Sequence, residues 1–295
     1  MPRDVSRVRH QMLIETLRLL PRNLLSRYAG RVAAMQLPRS LRAPALRLFG
    51  RAIGVDFDEV PAPLDSYASL QDFFTRALPP DRRPVDPAPD ALVSPCDGSW
   101  GVSGTIHDGL ALQLKGHPYR LAELLADAAA ARVYEGGQFA TLYLSPRDYH
   151  RFHAPVDLEI ERAVHVPGSL WPVNRAGLEQ VDALFTHNER ICIHARSASG
   201  PVCFVAVGAT LVGKIRVCFD ADLTSNTRRR ETTERRYSET RVARGAELGR
   251  FEFGSTIVLL LSAEVGALEA APESSPLRVG RRIGRLANAE TEVSG

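Results

Sequence analysis

From Leu92 onward the chain is cut by glycine and proline into short apolar runs, among them Gly98–Gly104, Phe139–Ser145, Val202–Gly213 and Ser255–Ser262. That spacing, with its β-branched enrichment, predicts a β-rich body. A single helix is expected to interrupt it at Leu121–Ala131. Residues 224–248 are polar and highly charged and read as an exposed loop or hairpin. The longest uncharged run, Ser197–Gly213, has 17 residues and includes Gly, Pro and Ser. A membrane-spanning helix needs roughly 20 apolar residues, so this run reads as strands.

The first 54 residues differ in kind. They hold 11 arginines against two acids, Asp4 and Glu15, so this stretch carries +9 and the remainder −6 within an overall charge of +3. Leu13, Leu17, Leu20 and Leu24 recur at helical spacing, with Arg9, Arg18 and Arg22 on other faces. Pro21 is expected to end or kink the first helix, and Pro38 and Pro44 to bracket short ones, including Ala45–Ile53. A basic amphipathic segment suits an anionic membrane surface; equally, its apolar face packs on the protein's own core. Residues 55–95 are rich in Pro and Asp, with one helix expected around Ser69–Arg76. The fold class predicted is α+β: a helical, membrane-associating region over 1–54, then a β-rich catalytic body over 55–295.

The balance of 44% hydrophobic and 24% charged residues is that of a globular chain. The small net charge argues against a nucleic-acid partner, whose binding by counterion release favours a larger basic excess. Cys96, Cys192, Cys203 and Cys218 form no CxxC pair and lie at no zinc-site spacing, so they read as plain thiols and no metal is expected. Met12–Leu20 is interrupted by Glu15 and Arg18, so no secretory signal is expected.

Four segments carry chemistry. Asp97 sits in a Ser94-Pro-Cys-Asp-Gly98 turn. His150 and His153 lie three residues apart after an apolar strand, in Ser145-Pro-Arg-Asp-Tyr-His-Arg-Phe-His-Ala-Pro155. Ser255 follows Gly254 just before the strand Ile257–Leu261, and Gly208–Gly213 is a small-residue strand that admits close approach of a backbone or ligand. Taken singly, each has an ordinary explanation: a turn aspartate, structural histidines, a strand entry. Together they supply a nucleophile, a base and an orienting acid. No G-x-S-x-G elbow is present, which argues against an α/β-hydrolase.

The combination resembles the bacterial phosphatidylserine decarboxylases of the proteobacterial type. The likeness runs in order through Phe73-Phe-Thr-Arg, Arg83-Pro-Val-Asp, Pro95-Cys-Asp-Gly, Lys115-Gly-His-Pro-Tyr and the His150/His153 block. It continues through Val166-Pro-Gly, the segment from Phe185 to Arg190 and Val207–Gly213 to Gly249-Arg-Phe-Glu-Phe-Gly-Ser-Thr. Lys214 departs from it, standing where a small residue is more usual.

The resemblance implies a self-made cofactor. Decarboxylation of an amino acid needs an electron sink at Cα, which side chains lack. Ser255 is implied to attack the Gly254 carbonyl, releasing a β chain (1–254) and leaving a 41-residue α chain (255–295) that begins with a covalent pyruvoyl group. This group is implied to form a Schiff base with phosphatidylserine, giving phosphatidylethanolamine and CO2. His153 is implied as the base for self-cleavage, with Asp97 orienting it, and His150 as the group that moves a proton in decarboxylation. The implied partners are phosphatidylserine, an anionic membrane surface and the α and β chains with each other, further dimerisation being compatible. The implied location is the cytoplasmic side of the cell membrane, bound peripherally. A serine hydrolase or autoprotease using unmodified Ser255 with His153 and Asp97 is the alternative chemistry. A decayed homologue that only binds lipid is the non-enzymatic reading, and the retention of Ser255, His153 and Asp97 speaks against it.

Overall fold

A computed structural model describes residue 15 and residues 21–113, 117–210, 214–227, 229–252 and 255–287. Leu13, Leu17, Leu20 and Gly254 lie outside the described residues. In chain order the strands are β1 (Ala91–Val93), β2 (Gly98–Thr105), β3 (Leu110–Leu112), β4 (Pro118–Arg120), β5 (Gln138–Leu144), β6 (Arg151–His153), β7 (Leu158–Val166) and β8 (Arg190–Ser197). They continue as β9 (Gly200–Val207), β10 (Ile215–Val217), β11 (Thr233–Val242), β12 (Glu247–Phe251), β13 (Ser255–Leu261), β14 (Gly266–Leu268), β15 (Pro276–Leu277) and β16 (Arg282–Leu286). The fold is α+β with a β-rich body.

An eight-stranded antiparallel sheet in the order β11-β7-β8-β9-β13-β5-β2-β15 forms the centre. Antiparallel sheets often leave one face in water, but every residue of β13 is buried. On one face Ile257, Leu259 and Leu261 pack with Trp100, Phe152 and Phe204. On the other Val258 and Leu260 pack with Leu124, Phe139 and Phe185. Coverage on both sides is why this strand reads as a continuous apolar run. The first face is capped by a three-stranded sheet, β10-β12-β6, which contributes Ile215, Val217, Leu248, Phe251 and Phe152. A further sheet, β1-β16-β14, and the β3-β4 hairpin complete the strand pairing.

Several expectations are corrected. Residues 121–131 form two short helices, α4 (Leu121–Leu125) and α5 (Ala128–Arg132), because Ala126 turns left-handed (φ 53°) and Asp127 caps a new helix by accepting from the amides of Ala129 and Ala130. Within 224–248 lies β11, an edge strand paired to β7 whose exposed, charged face hid it in the sequence. Gly208–Thr210 follow β9 and are not strand; the Gly208 amide instead donates to the Glu189 carbonyl (2.9 Å).

At the N-terminal end are α1 (Arg22–Ala33), which starts directly after Pro21, and α2 (Arg39–Ile53). Pro44 lies inside α2 rather than ending it. It removes one helical hydrogen bond, and the helix is held beyond it by buried Leu46, which packs with Val55, Tyr67 and Phe73. As expected, Ser69 opens a short helix, α3 (Leu70–Phe74), its hydroxyl accepting from the Asp72 amide (3.0 Å). Further helices are α6 (Arg175–Gln180) and α7 (Leu184–His187). α1 rests on the body through Arg22, stacked 3.6 Å over Trp171, and Asn23, which donates to the Gly168 carbonyl (2.8 Å).

Candidate active site

Strand register brings the singled-out segments together. Tyr143 of β5 lies opposite Ser99 of β2 on one side and Thr256 of β13 on the other. The Asp97–Gly98 turn and Ser255 therefore sit at the same end of three neighbouring strands, about 10 Å apart across two strand spacings. Gly98 takes φ +145°, and a Cβ there would run into the Tyr143 carbonyl, so only glycine lets the turn enter β2 this closely.

Ser255 opens β13 and is 1% exposed, and its Oγ has no hydrogen-bond partner among the described residues. By the two-residue period its side chain shares the face of Ile257, the face capped by β6 and β12. His150 immediately precedes β6 and His153 is its last residue. The His150 carbonyl accepts from the Phe251 amide (2.9 Å), four residues before Ser255, and the His153 amide donates to the Pro95 carbonyl (2.7 Å) in the Asp97 turn. A cavity of about 670 Å³ opens at this end of the sheet, lined by Tyr143, Leu144, Asn174, Thr210 and Ser255 among others.

Each imidazole donates from Nδ1 to a backbone carbonyl, His150 to Asp148 and His153 to Gly245, both at 2.8 Å. A carbonyl only accepts, so each Nε2 presents a lone pair. They differ in what that lone pair meets. Nε2 of His153 accepts from the Tyr149 hydroxyl (3.2 Å). Nε2 of His150 is buried without a partner among the described residues, its ring against Phe74 at 3.9 Å. Burial, joined by the charge of Arg76, pushes the His150 pKa down to about 3. Burial also lowers that of His153, opposed by the Gly245 carbonyl and by the charges of Glu247 and Asp97.

The direct Asp97–His153 contact implied by the resemblance is not formed. Arg83 grips both Asp97 oxygens through Nε (3.0 and 2.9 Å), adds Nη2 at 2.5 Å, and the Val279 amide donates to Oδ1 (2.9 Å). The guanidinium fork matches a carboxylate geometrically and takes precedence over a single imidazole N–H. Asp97 therefore acts on His153 through space. Arg83 also donates to Glu59 (2.7 Å), as does Arg278. Chiefly through the Arg83 hydrogen bond, the Glu59 pKa falls to about 2. Arg83, Glu59, Tyr149 and the Gly245 carbonyl were not identified from sequence as parts of the site. The Arg83-Pro-Val-Asp block and the Ser145–Pro155 segment contained Arg83 and Tyr149, without their roles.

A buried hydroxyl with no partner among the described residues, two imidazoles with Nε2 lone pairs and a clamped carboxylate are the group types that deprotonation of a serine requires. Residues 70–285 match the family model described as phosphatidylserine decarboxylase. The chain is 41% identical over 244 residues to a phosphatidylserine decarboxylase proenzyme of Brevibacillus brevis, covering 82% of this chain and 86% of that one. A proenzyme of the same name from Myxococcus xanthus is 38% identical over 275 residues (93% and 98%), and one from Azotobacter vinelandii is 40% identical over 274 residues (90% and 95%).

Proposed function

Because the chain belongs to the phosphatidylserine decarboxylase family, enzymes that decarboxylate phosphatidylserine, we propose that it matures by self-cleavage between Gly254 and Ser255 and works through a pyruvoyl group made from Ser255. The observation that carries this reading is the buried Ser255 Oγ, without a partner among the described residues, at the edge of a ligand-sized cavity.

In maturation, Ser255 Oγ attacks the Gly254 carbonyl carbon while His153 Nε2, released from Tyr149, takes the hydroxyl proton and returns it to the Ser255 nitrogen. The peptide C–N bond breaks as the ester C–O bond forms. Asp97, locked by Arg83, stabilises the transient imidazolium through space. Loss of the Ser255 Cα proton and of the Gly254 carboxylate frees residues 1–254, and hydrolysis with loss of ammonia leaves the new end at 255. The Ser255 position fits such a group, since it is buried and lines the cavity. Once formed, the group supplies the carbonyl electron sink that side chains lack.

His150 handles the substrate proton. Burial keeps it neutral at rest. A substrate carboxylate beside it raises its basicity, so Nε2 takes the ammonium proton only with substrate in place and returns it to Cα after CO2 departs.

The lipid substrate brings the protein to the cytoplasmic face of the membrane as a peripheral heterodimer of its two chains. Leu24, Leu25, Tyr28 and Val32 of α1, Met35 just beyond it, and Leu41 and Leu48 of α2 are all 40% exposed or more, an outward apolar surface amid arginines that suits an anionic interface. No helix among the described residues is long and apolar enough to cross a membrane. Replacing Tyr28 and Val32 with Ser is expected to reduce sedimentation with anionic vesicles while leaving the melting temperature unchanged; retained sedimentation would place the contact elsewhere.

Intact mass under denaturing conditions tests the main reading. Species of 254 and 41 residues are expected, the smaller about 17 Da below its hydrolytic peptide because ammonia is lost. Ser255→Ala is expected to remain one uncleaved, inactive chain. A single 32.4 kDa species from the wild type, with decarboxylase activity present, would overturn self-cleavage.

A further inference from the structure

A second cavity, of about 320 Å³, lies between α1 and the body and takes no part in the chemistry above. Its walls include Arg27 and Arg31 from α1, Lys214 just before β10, Arg216 in β10, Thr227 and Glu252. Glu252 is already committed, accepting from Arg216 Nε at 2.7 Å. Arg27, Arg31 and Lys214 have no carboxylate partner among the described residues. Three uncompensated cations facing one cleft repel one another, and a shared anion relieves that repulsion. We propose that this cleft binds the phosphate of a phospholipid headgroup.

Two features favour a lipid over a free anion. Arg27, Gly30 and Arg31 of α1, with Ala34 just beyond it, follow i, i+3, i+4, i+7 and form one flank. Leu24, Leu25, Tyr28 and Val32 occupy the adjacent flank and face outward. A lipid whose acyl region lies along the outward flank delivers its phosphate to the arginines. The cleft and the cavity at Ser255 are also close along the chain. Glu252 lines one and Ser255 the other, and three residues span at most about 11 Å. The inference goes beyond the decarboxylase reading, because any phospholipid phosphate satisfies the cleft, with or without an amine.

Calorimetric titration of the mature protein with dihexanoylphosphatidylglycerol below its micellar concentration tests it, with inorganic phosphate in a parallel titration. Wild type is expected to bind this lipid more tightly than inorganic phosphate, with affinity falling as salt rises. Arg31→Ala and Lys214→Ala are each expected to weaken binding roughly tenfold, and Lys214→Glu to abolish it. Arg47→Ala, an exposed arginine of α2 outside the cleft, is expected to leave binding intact. Melting temperatures identify any variant whose loss is a folding defect. Equal lipid affinity in wild type and the Arg31→Ala/Lys214→Ala double variant would overturn the site. Inorganic phosphate binding as tightly as the lipid would overturn the lipid assignment. Phosphatidylglycerol has no amine to react, so a chain that never cleaves at 254–255 yet binds it here would defeat the function proposed above and leave this inference standing.

Discussion

Asp97 and Ser255 stand about two strands apart at one end of the same sheet, and their hydrogen bonding is opposite. Both carboxylate oxygens of Asp97 are held by Arg83, with the Val279 amide as a further donor. Ser255 Oγ and His150 Nε2 are as deeply buried and have no partner among the described residues. Unmade buried hydrogen bonds cost about 1–3 kcal/mol each, so the Ser255 side carries a cost that the saturated Asp97 side helps the fold tolerate. The difference separates fixed charge from reactive groups. A carboxylate clamped in place supplies an electrostatic field without moving, while the hydroxyl and imidazole keep their lone pairs available.

The sharpest way to break this comparison is at the histidines. His150→Ala is expected to self-cleave normally and then lose about 10²- to 10⁴-fold in turnover, whereas His153→Ala is expected to remain a single uncleaved chain. Gel separation of the two chains with a CO2-release assay reads both; an uncleaved His150→Ala protein would mean the roles are reversed. Arg83→Ala attacks the saturated side. It strands Asp97 as an unpaired buried charge and is expected to cost about 3–5 kcal/mol of stability, measured by denaturant unfolding of the uncleaved Ser255→Ala background. A loss below about 1 kcal/mol would show that water replaces the guanidinium at little cost.

The smallest effect is at Glu59, the outer partner of Arg83. Its pKa lies below its ordinary 4.5, at about 2, so the stability it adds is full above pH 4.5 and is lost as pH falls toward 2. Solvent screening keeps that contribution to about 1 kcal/mol. Unfolding curves of wild type and Glu59→Gln in the same background are expected to differ at pH 6 and converge as pH falls through that window; a constant difference would remove Glu59 from the linkage.

Legibility from sequence followed the range of the interaction. The helix near Ser69 and the apolar strand Ile257–Leu261 were readable because helix-start residues and an apolar run act within a few residues. Pro44 inside α2 was misread because Leu46, anchored among Val55, Tyr67 and Phe73, offsets the lost hydrogen bond. β11 was read as a loop or hairpin because an edge strand with one solvated, charged face lacks the apolar signal on which strand recognition rests. In the site, the functional residue types were visible but their partners were not. Arg83 and Asp97 are 14 residues apart, His153 and Gly245 are 92, and Asp97 and Val279 are 182.

By itself, then, the order of residues determined the β-rich character of the body, the basic and apolar makeup of the leading helices, and the serine, histidines and aspartate available for chemistry. These depend on local periodicity and composition. Tertiary structure alone decided that Asp97 pairs with Arg83 rather than His153, that the His150 Nε2 lone pair has no partner among the described residues, and that the apolar flank of α1 faces outward beside a cationic cleft. Each of those outcomes is a competition between groups distant along the chain, settled only when the sheet's register sets which of them come within hydrogen-bond reach.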